Sequence, residues 1–396
     1  AAFVNAFRPQ EGNPRMRTLA RPFVRWTRPT IASATLVVAL AAVGQLSQAA
    51  TITVNTNSAT SVAGQCALID AVQAANTNAA VNGCVAGVAG ADTIVFTSNV
   101  NVINFQTPLP GTIDALRIYE ALTIDGSGGT YNGGSAVRIQ RDPASVSNFR
   151  LFNAFDIGYL TNYTSDPTGP AIVYKNLELA NGLVTEMLPV TSDPASSGGG
   201  CIANFGALSL EDVTVRDCGA HPTNAGGLGR GGGIYNYGAL TGTRVNLLSN
   251  ASKSDGGGLF AWKDAALSRT SVRDNAVRGD QAQGGGVMVR GTVTLIDSAV
   301  ENNLVDATTS AIGGGIWAAA IVVRNTSIRN NRVLGVASGF AGGLYVRSIG
   351  PTSTIERTWI ASNSVEARNA IGGGMMIDTA TAATQISNST INGNTV

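Results

Sequence analysis

Gly313-Gly-Gly-Ile-Trp-Ala-Ala-Ala-Ile-Val-Val-Arg-Asn-Thr-Ser-Ile-Arg-Asn-Asn331 is the stretch that decides the fold, because its pattern returns along the chain. Glycine clusters stand at 198–200, 231–233, 256–258, 284–286, 313–315, 342–343 and 372–374. From Gly198 to Gly372 is 174 residues over six intervals, a mean period of 29. Each cluster is followed by Cys201, Ile234, Leu259, Val287, Ile316, Leu344 or Met375. Some 18–22 residues after each cluster begins comes Cys218, Asn250, Asn275, Asn303, Asn331, Asn363 or Asn394. Three residues before that mark the column is aliphatic throughout: Val215, Leu247, Val272, Val300, Ile328, Ile360, Ile391. Two further back lies a smaller column: Val213, Val245, Thr270, Ser298, Thr326, Thr358, Ser389. A spacing of two between inward positions is strand periodicity.

A third apolar pair lies between cluster and strand, as in Leu208 and Leu210, Val293 and Leu295, or Ile321 and Val323. Three short strands per 29-residue coil predict an all-β fold, a right-handed parallel β-helix whose stacked coils bury one continuous core. A propeller blade needs about 40 residues and four antiparallel strands. Coils lie about 4.8 Å apart, so Asn250, Asn275, Asn303, Asn331, Asn363 and Asn394 are expected to form an amide ladder. The glycines permit positive φ or close backbone approach at another corner.

Composition agrees with a solenoid. Of 396 residues 48 are glycine, and only 13 % are charged against 44 % hydrophobic, which excludes a disordered chain. Clustered glycines exclude collagen, which needs one at every third place. Residues 1–50 hold six arginines and one acid. Taking these from totals of 26 and 25 leaves 20 basic and 24 acidic residues for 51–396, a net charge of −4. Such a balance gives no nucleic-acid footprint, which needs a clustered basic face.

The basic start leads into the apolar run Ile31–Val43 and then Ser47-Gln48-Ala49. Basic region, short apolar core and small-x-small ending predict a secretory leader over 16–50, starting at Met16, with 1–15 upstream of it. The apolar run is shorter than the roughly 20 residues of a membrane span. All four cysteines follow it as two local pairs, Cys66 with Cys84 and Cys201 with Cys218. An even count after export favours disulfides over a zinc site, and the sole histidine, His221, accompanies neither pair in a metal motif. Upstream of the repeats, Leu68, Ala71, Val72 and Ala75 share one helical face. That short helix is expected to cap the first coils over 51–130. Residues 131–195 fit the repeat poorly and are expected to be irregular coils, with Asn153–Pro170 an inserted loop. Residues 196–396 carry the repeats, and the run stopping at Val396 reads as truncated.

Cys66-Ala-Leu-Ile-Asp-Ala-Val-Gln-Ala-Ala-Asn-Thr77, Cys84-Val-Ala-Gly87 and Asp92-Thr-Ile-Val-Phe96 resemble the N-terminal module of bacterial secreted β-helix proteins. Those proteins carry a Cys-Ser-Leu-Arg-Glu-Ala-Ile-like motif, from which Ala67 and Ile69 depart. The repeats resemble those of polymorphic outer membrane proteins, with their Gly-Gly-Ala-Ile and Phe-x-x-Asn signatures. Here these stand as Gly313-Gly314-Gly315-Ile316 and Ile328-Arg329-Asn330-Asn331, an aliphatic replacing Phe. The resemblance implies a secreted or surface role and supplies no catalytic residues.

Function is expected to be non-catalytic: adhesion, or binding of an extracellular glycan or cell-surface component, with no cofactor. The alternative is a polysaccharide lyase or glycoside hydrolase, but the paired-acid and Gly-His-Gly motifs of a polygalacturonase-like site are absent. The tentative ligand strip is the outward row Arg216, Arg273, Glu301, Arg329, whose plain reading is charge pairing between coils. A second row, Asp212, Arg244, Arg269, Asp297, Asn325, Arg357, Asn388, mixes signs in the same way. Trp262, Trp317 and Trp359 fall at different offsets in the repeat and are expected to form no single platform.

Overall fold

The structure, a computed structural model, describes residues 49–160, 168–186, 198–223, 227–347, 352–378 and 383–396. The expected leader therefore lies, up to residue 48, outside the described residues. Within them the chain is an all-β parallel solenoid. Every pairing between its strands is parallel, with 26 described strands in one sheet and seven in another. No helix among the described residues is long and apolar enough to cross a membrane.

One coil shows how the sequence builds this. After Gly313 (φ 69°) the chain runs as Ile316–Arg324, turns at Asn325 (φ 48°), and continues as Ser327–Arg329. It turns again at Asn330 (φ 54°) and leaves as Arg332–Phe340. Val300, Ile328 and Ile360 stack in register from coil to coil with no exposure. Leu208, Leu210, Val293, Leu295, Ile321 and Val323 are likewise buried. Ile391, flanked by a described coil on one side only, is 45 % exposed.

Two expectations need correction. Each later coil holds a further strand after the Asn, seen as Ala276–Gln283, Leu304–Ile312, Arg332–Phe340 and Ser364–Ile371. These form the second sheet with the shorter Leu183–Val184, Gly219–Ala220 and Ala251–Ser252. Three strands per coil therefore holds where the first two merge into one, as in Val287–Ile296 and Ile316–Arg324. It is one too few in the coils that begin at Leu259 and Leu344. The row Asp212, Arg244, Arg269, Asp297, Asn325, Arg357, Asn388 is also more than an outward strand row, since all seven have φ between 48° and 56°. One left-handed residue turns the chain sharply, which Asn and Asp tolerate best.

The amide ladder is present. Asn275 Nδ2 donates to Asn303 Oδ1 at 3.0 Å, Asn303 Nδ2 to Asn331 Oδ1 at 2.9 Å, and Asn331 Nδ2 to Asn363 Oδ1 at 3.0 Å. The column continues at Asn250 and Asn394. The Ser/Thr column makes a second ladder: Thr270 N–H donates to Ser298 Oγ at 3.1 Å, and Thr358 N–H to Ser389 Oγ at 3.1 Å. The glycines beside the Asn ladder are fixed by close approach. A Cβ on Gly314 would lie 2.3 Å from the Gly342 carbonyl oxygen.

The helix is Leu68–Thr77, with Leu68, Ala71, Val72, Ala74 and Ala75 buried. It packs on the strands Thr51–Val54, Asp92–Phe96 and Asp114–Ile118. Residues 131–195 are more regular than expected: Val137–Arg141, Arg150–Ala154 and Ile172–Ala180 stack in register with their neighbours. Asn153 sits buried inside one of these strands, so the insertion begins later, and its residues 161–167 lie outside the described ones. The pattern was hidden because Arg150, fully buried and paired with Asp114 at 3.1 Å, stands where the later coils carry glycine.

Disulfides join Cys66 to Cys84 and Cys201 to Cys218. Cys218 takes the ladder's place in its coil, offering its backbone N–H to Asn250 Oδ1 at 3.1 Å. Cys201→Ala with Cys218→Ala should lower stability by about 3 kcal/mol, as expected for a loop of this size. The midpoint of urea unfolding, compared with the oxidised parent, checks it. An unchanged midpoint would show that the coil holds without its staple.

Candidate functional site

Inward and outward positions alternate along the three-residue strands that follow the glycines. Ile316 and Ala318 face the core, so Trp317 faces out. The same outward position in successive coils is Ala203, Tyr235, Phe260, Met288, Trp317, Tyr345 and Met376, in register throughout. Two residues on, still on the outward face, come Phe205, Tyr237, Trp262, Arg290, Ala319, Arg347 and Asp378. Together these columns form one band along the solenoid, six coil steps or roughly 29 Å long at the usual strand spacing. Its first column is a second buried cluster, at most 8 % exposed from Ala203 to Tyr345. Arg290, Arg347 and Asp378 stand exposed beside it.

The strip is aromatic at one end and cationic at the other. Tyr235 and Phe260 stack with ring centres 5.5 Å apart, Phe205 and Tyr237 at 6.2 Å, and Trp317 and Tyr345 at 6.1 Å. Trp262 Nε1 donates to the Tyr235 hydroxyl at 2.8 Å. The Arg290 guanidinium lies 4.2 Å from the centre of the Trp262 ring, and Arg230 lies 5.2 Å from that of Phe260. Arg230 is neutralised by Asp255 at 2.8 Å. Ring faces are thus spent on neighbouring rings and on guanidinium groups, a geometry that stiffens the arginines.

Beside Trp317 the strip opens into a cleft of about 490 Å³. Met288, Trp317 and Tyr345 line it with Arg290, Arg347 and Asp378, and Gln283 and Ile312 come from the long strands that precede the glycines. Among the described residues neither Arg290 nor Arg347 is in an ion pair. Burial, with the charges of Arg230 and Arg347 nearby, depresses the Arg290 pKa below its usual value. Burial and a 2.9 Å hydrogen bond from its hydroxyl to Asp378 Oδ2 push Tyr345 up to about 12. Tyr345 therefore remains a neutral donor at ordinary pH.

The expected strip is in register but less coherent. Arg216, Arg273, Glu301 and Arg329 stand at equivalent positions of their coils. Arg329 pairs with Glu301 at 2.8 Å and lies over Trp359, while Arg216 pairs with its own neighbour Asp217. Arg273 makes no ion pair among the described residues, so pairing through Arg273, Glu301 and Arg329 is realised only in its second half. The expectation that Trp262, Trp317 and Trp359 share no single platform needs correction for two of them, Trp359 lying apart under Arg329. Trp262 and Trp317 sit two positions apart on one outward face, and Tyr235, Phe260 and Tyr345 join them. The missed signal was an apolar residue recurring just after an inward one.

His221 lines a different pocket, with Cys218 and Arg141. No group of three or more His, Cys, Asp or Glu side chains is placed to hold a metal ion among the described residues. Neither a family model, nor a curated protein, nor a solved structure matches the chain.

Proposed function

We propose that this chain is an exported right-handed parallel β-helix that binds an extended carbohydrate along its aromatic strip, without chemistry of its own. The observation that carries this reading is the open cleft floored by Met288, Trp317 and Tyr345 and bordered by Arg290, Arg347 and Asp378. The aromatic column itself is buried, at most 8 % exposed from Ala203 to Tyr345. What it offers a ligand is the cleft it floors, which a solenoid presents along its length to a linear chain. Handedness follows the rule for parallel crossovers. Two disulfides suit an oxidising compartment, and the leader pattern over 16–50 and the resemblance to secreted and outer-membrane β-helix proteins support the same address. Hydrolysis of a glycoside needs two carboxylates across the bond, whereas Asp378 is the one carboxylate among the cleft's described lining residues.

Affinity electrophoresis through gels containing soluble polysaccharides tests the reading. The chain should be retarded by at least one of them, and Trp262→Ala should weaken that binding about tenfold, or about 1.4 kcal/mol. A chain that migrates freely through every gel while keeping its native circular dichroism would overturn it.

A further inference from the structure

We infer that the cationic half of the strip selects a linear acidic polysaccharide, bearing a carboxylate or sulfate on at least every second sugar. This rests on the carbohydrate reading above and adds the ligand's charge and spacing. Arg290 and Arg347 directly follow Val289 and Val346, equivalent positions two coils apart, with Ala319 in the coil between. A bulge at the first sets Arg290 and Gly291 together opposite Ala319. Their separation along the axis is therefore roughly 10 Å at the usual strand spacing, which suits alternate residues of an extended pyranose chain. Both guanidiniums border the cleft, and neither is in an ion pair among the described residues.

Three features favour an anionic chain over a neutral one. A neutral pyranose binds best by stacking on an open ring face, yet Trp317 and Tyr345 turn their faces to each other. The Trp262 face is covered by Arg290. What remains on offer is ring edges, which carry the positive end of the aromatic quadrupole, and two guanidiniums held in place. A guanidinium matches a carboxylate or sulfate through paired N–H donors. Burial first, and then the charges of Arg230 and Arg347 against the opposing Asp255, depress the Arg290 pKa, and an anion beside its guanidinium would offset that. Ala319, the small residue between the arginines, leaves room for the uncharged sugar. Asp378, held by the Tyr345 hydroxyl, sits one coil beyond Arg347 and would repel a further anion, which ends the cationic stretch there.

The test is isothermal titration of the full chain with polygalacturonate, hyaluronate, dextran sulfate, dextran and single-stranded polyadenylate. The first two place carboxylates on every and on alternate sugars, the third carries sulfates, and dextran carries neither. Acidic polysaccharides should bind at least tenfold tighter than dextran, with affinity falling as salt rises. Whichever of carboxylate and sulfate binds tighter names the anion. Arg290→Ala with Arg347→Ala should lower acidic-chain affinity at least thirtyfold and flatten the salt dependence, while Arg273→Ala should change it less than twofold. Dextran binding as tightly as the acidic chains would overturn this inference and leave the carbohydrate reading standing. Polyadenylate binding tighter than any polysaccharide would overturn it in favour of a nucleic acid. No binding by any polymer to a folded chain would overturn both.

Discussion

Ile328→Asp should unfold its region of the solenoid, lowering the melting temperature more than any surface change. Ile328 has no exposure and stacks between Val300 and Ile360, so both neighbours along the axis are apolar. The substitution removes an aliphatic side chain whose burial is worth about 1.5–3 kcal/mol. It also places a carboxylate where no cation stacks above or below, at a further cost of several kcal/mol. Coils hold chiefly to their nearest neighbours, so the loss should spread to the coils at Val300 and Ile360 before the rest. Hydrogen exchange resolves that order, and thermal melting gives the total.

The pH dependence carries a sign that separates this account from simple misfit. Burial without a partner raises an aspartate pKa above its unfolded value near 3.9. The folded state then holds its proton to higher pH, so the penalty is smallest below about pH 4 and grows until the folded-state pKa is passed. The variant should therefore gain stability relative to the parent as pH falls. Ile328→Val, which keeps the chemistry and loses one methylene, should cost only about 0.5–1.5 kcal/mol. A melting curve for Ile328→Asp that matches the parent would take Ile328 out of the core.

The core was legible in the sequence because each inward column repeats one chemistry at one offset. Val300, Ile328 and Ile360 announce themselves by recurrence alone. The long strands such as Arg332–Phe340 were not legible. Their alternation is carried by small residues, Val333, Gly335 and Gly339 among them, and their lengths vary between coils. The corners at Asp297, Asn325 and Arg357 were read as a charged strand row because composition shows charge and not φ. Arginine at φ 49° is a poor guide to a left-handed turn. Arg244, at φ 56°, is held in that conformation in part by Asp212, 2.6 Å from its Nη2. The candidate site failed for a different reason. Counting offsets from the glycines put Trp262 and Trp317 in separate classes, although a period of two places both on one face. Arg290 and Arg347 carry no motif at all, and only coil-to-coil register brings them to one cleft.

Asn303→Ala is the second large effect, and it separates a ladder residue from an ordinary turn residue. Asn303 is fully buried. Its Oδ1 accepts from the backbone N–H and from Nδ2 of Asn275, at 3.1 and 3.0 Å. Its Nδ2 donates to the Val272 carbonyl at 3.0 Å and to Asn331 Oδ1 at 2.9 Å. Alanine removes all four bonds and leaves the Asn275 backbone N–H and one hydrogen of its Nδ2 without their acceptor. A buried polar group that loses its partner costs about 1–3 kcal/mol, so the sum should reach about 4 kcal/mol. The adjacent Asn302 supplies the contrast. It is exposed and holds φ 57°, a conformation that glycine adopts without strain. Asn302→Gly should therefore move stability by less than about 0.5 kcal/mol. Urea unfolding of the two single variants compares the same residue type at neighbouring positions, one inside the ladder and one outside. Equal midpoints would mean that the side-chain amides add nothing beyond the turn, and that the coils are held by backbone pairing and aliphatic stacking alone.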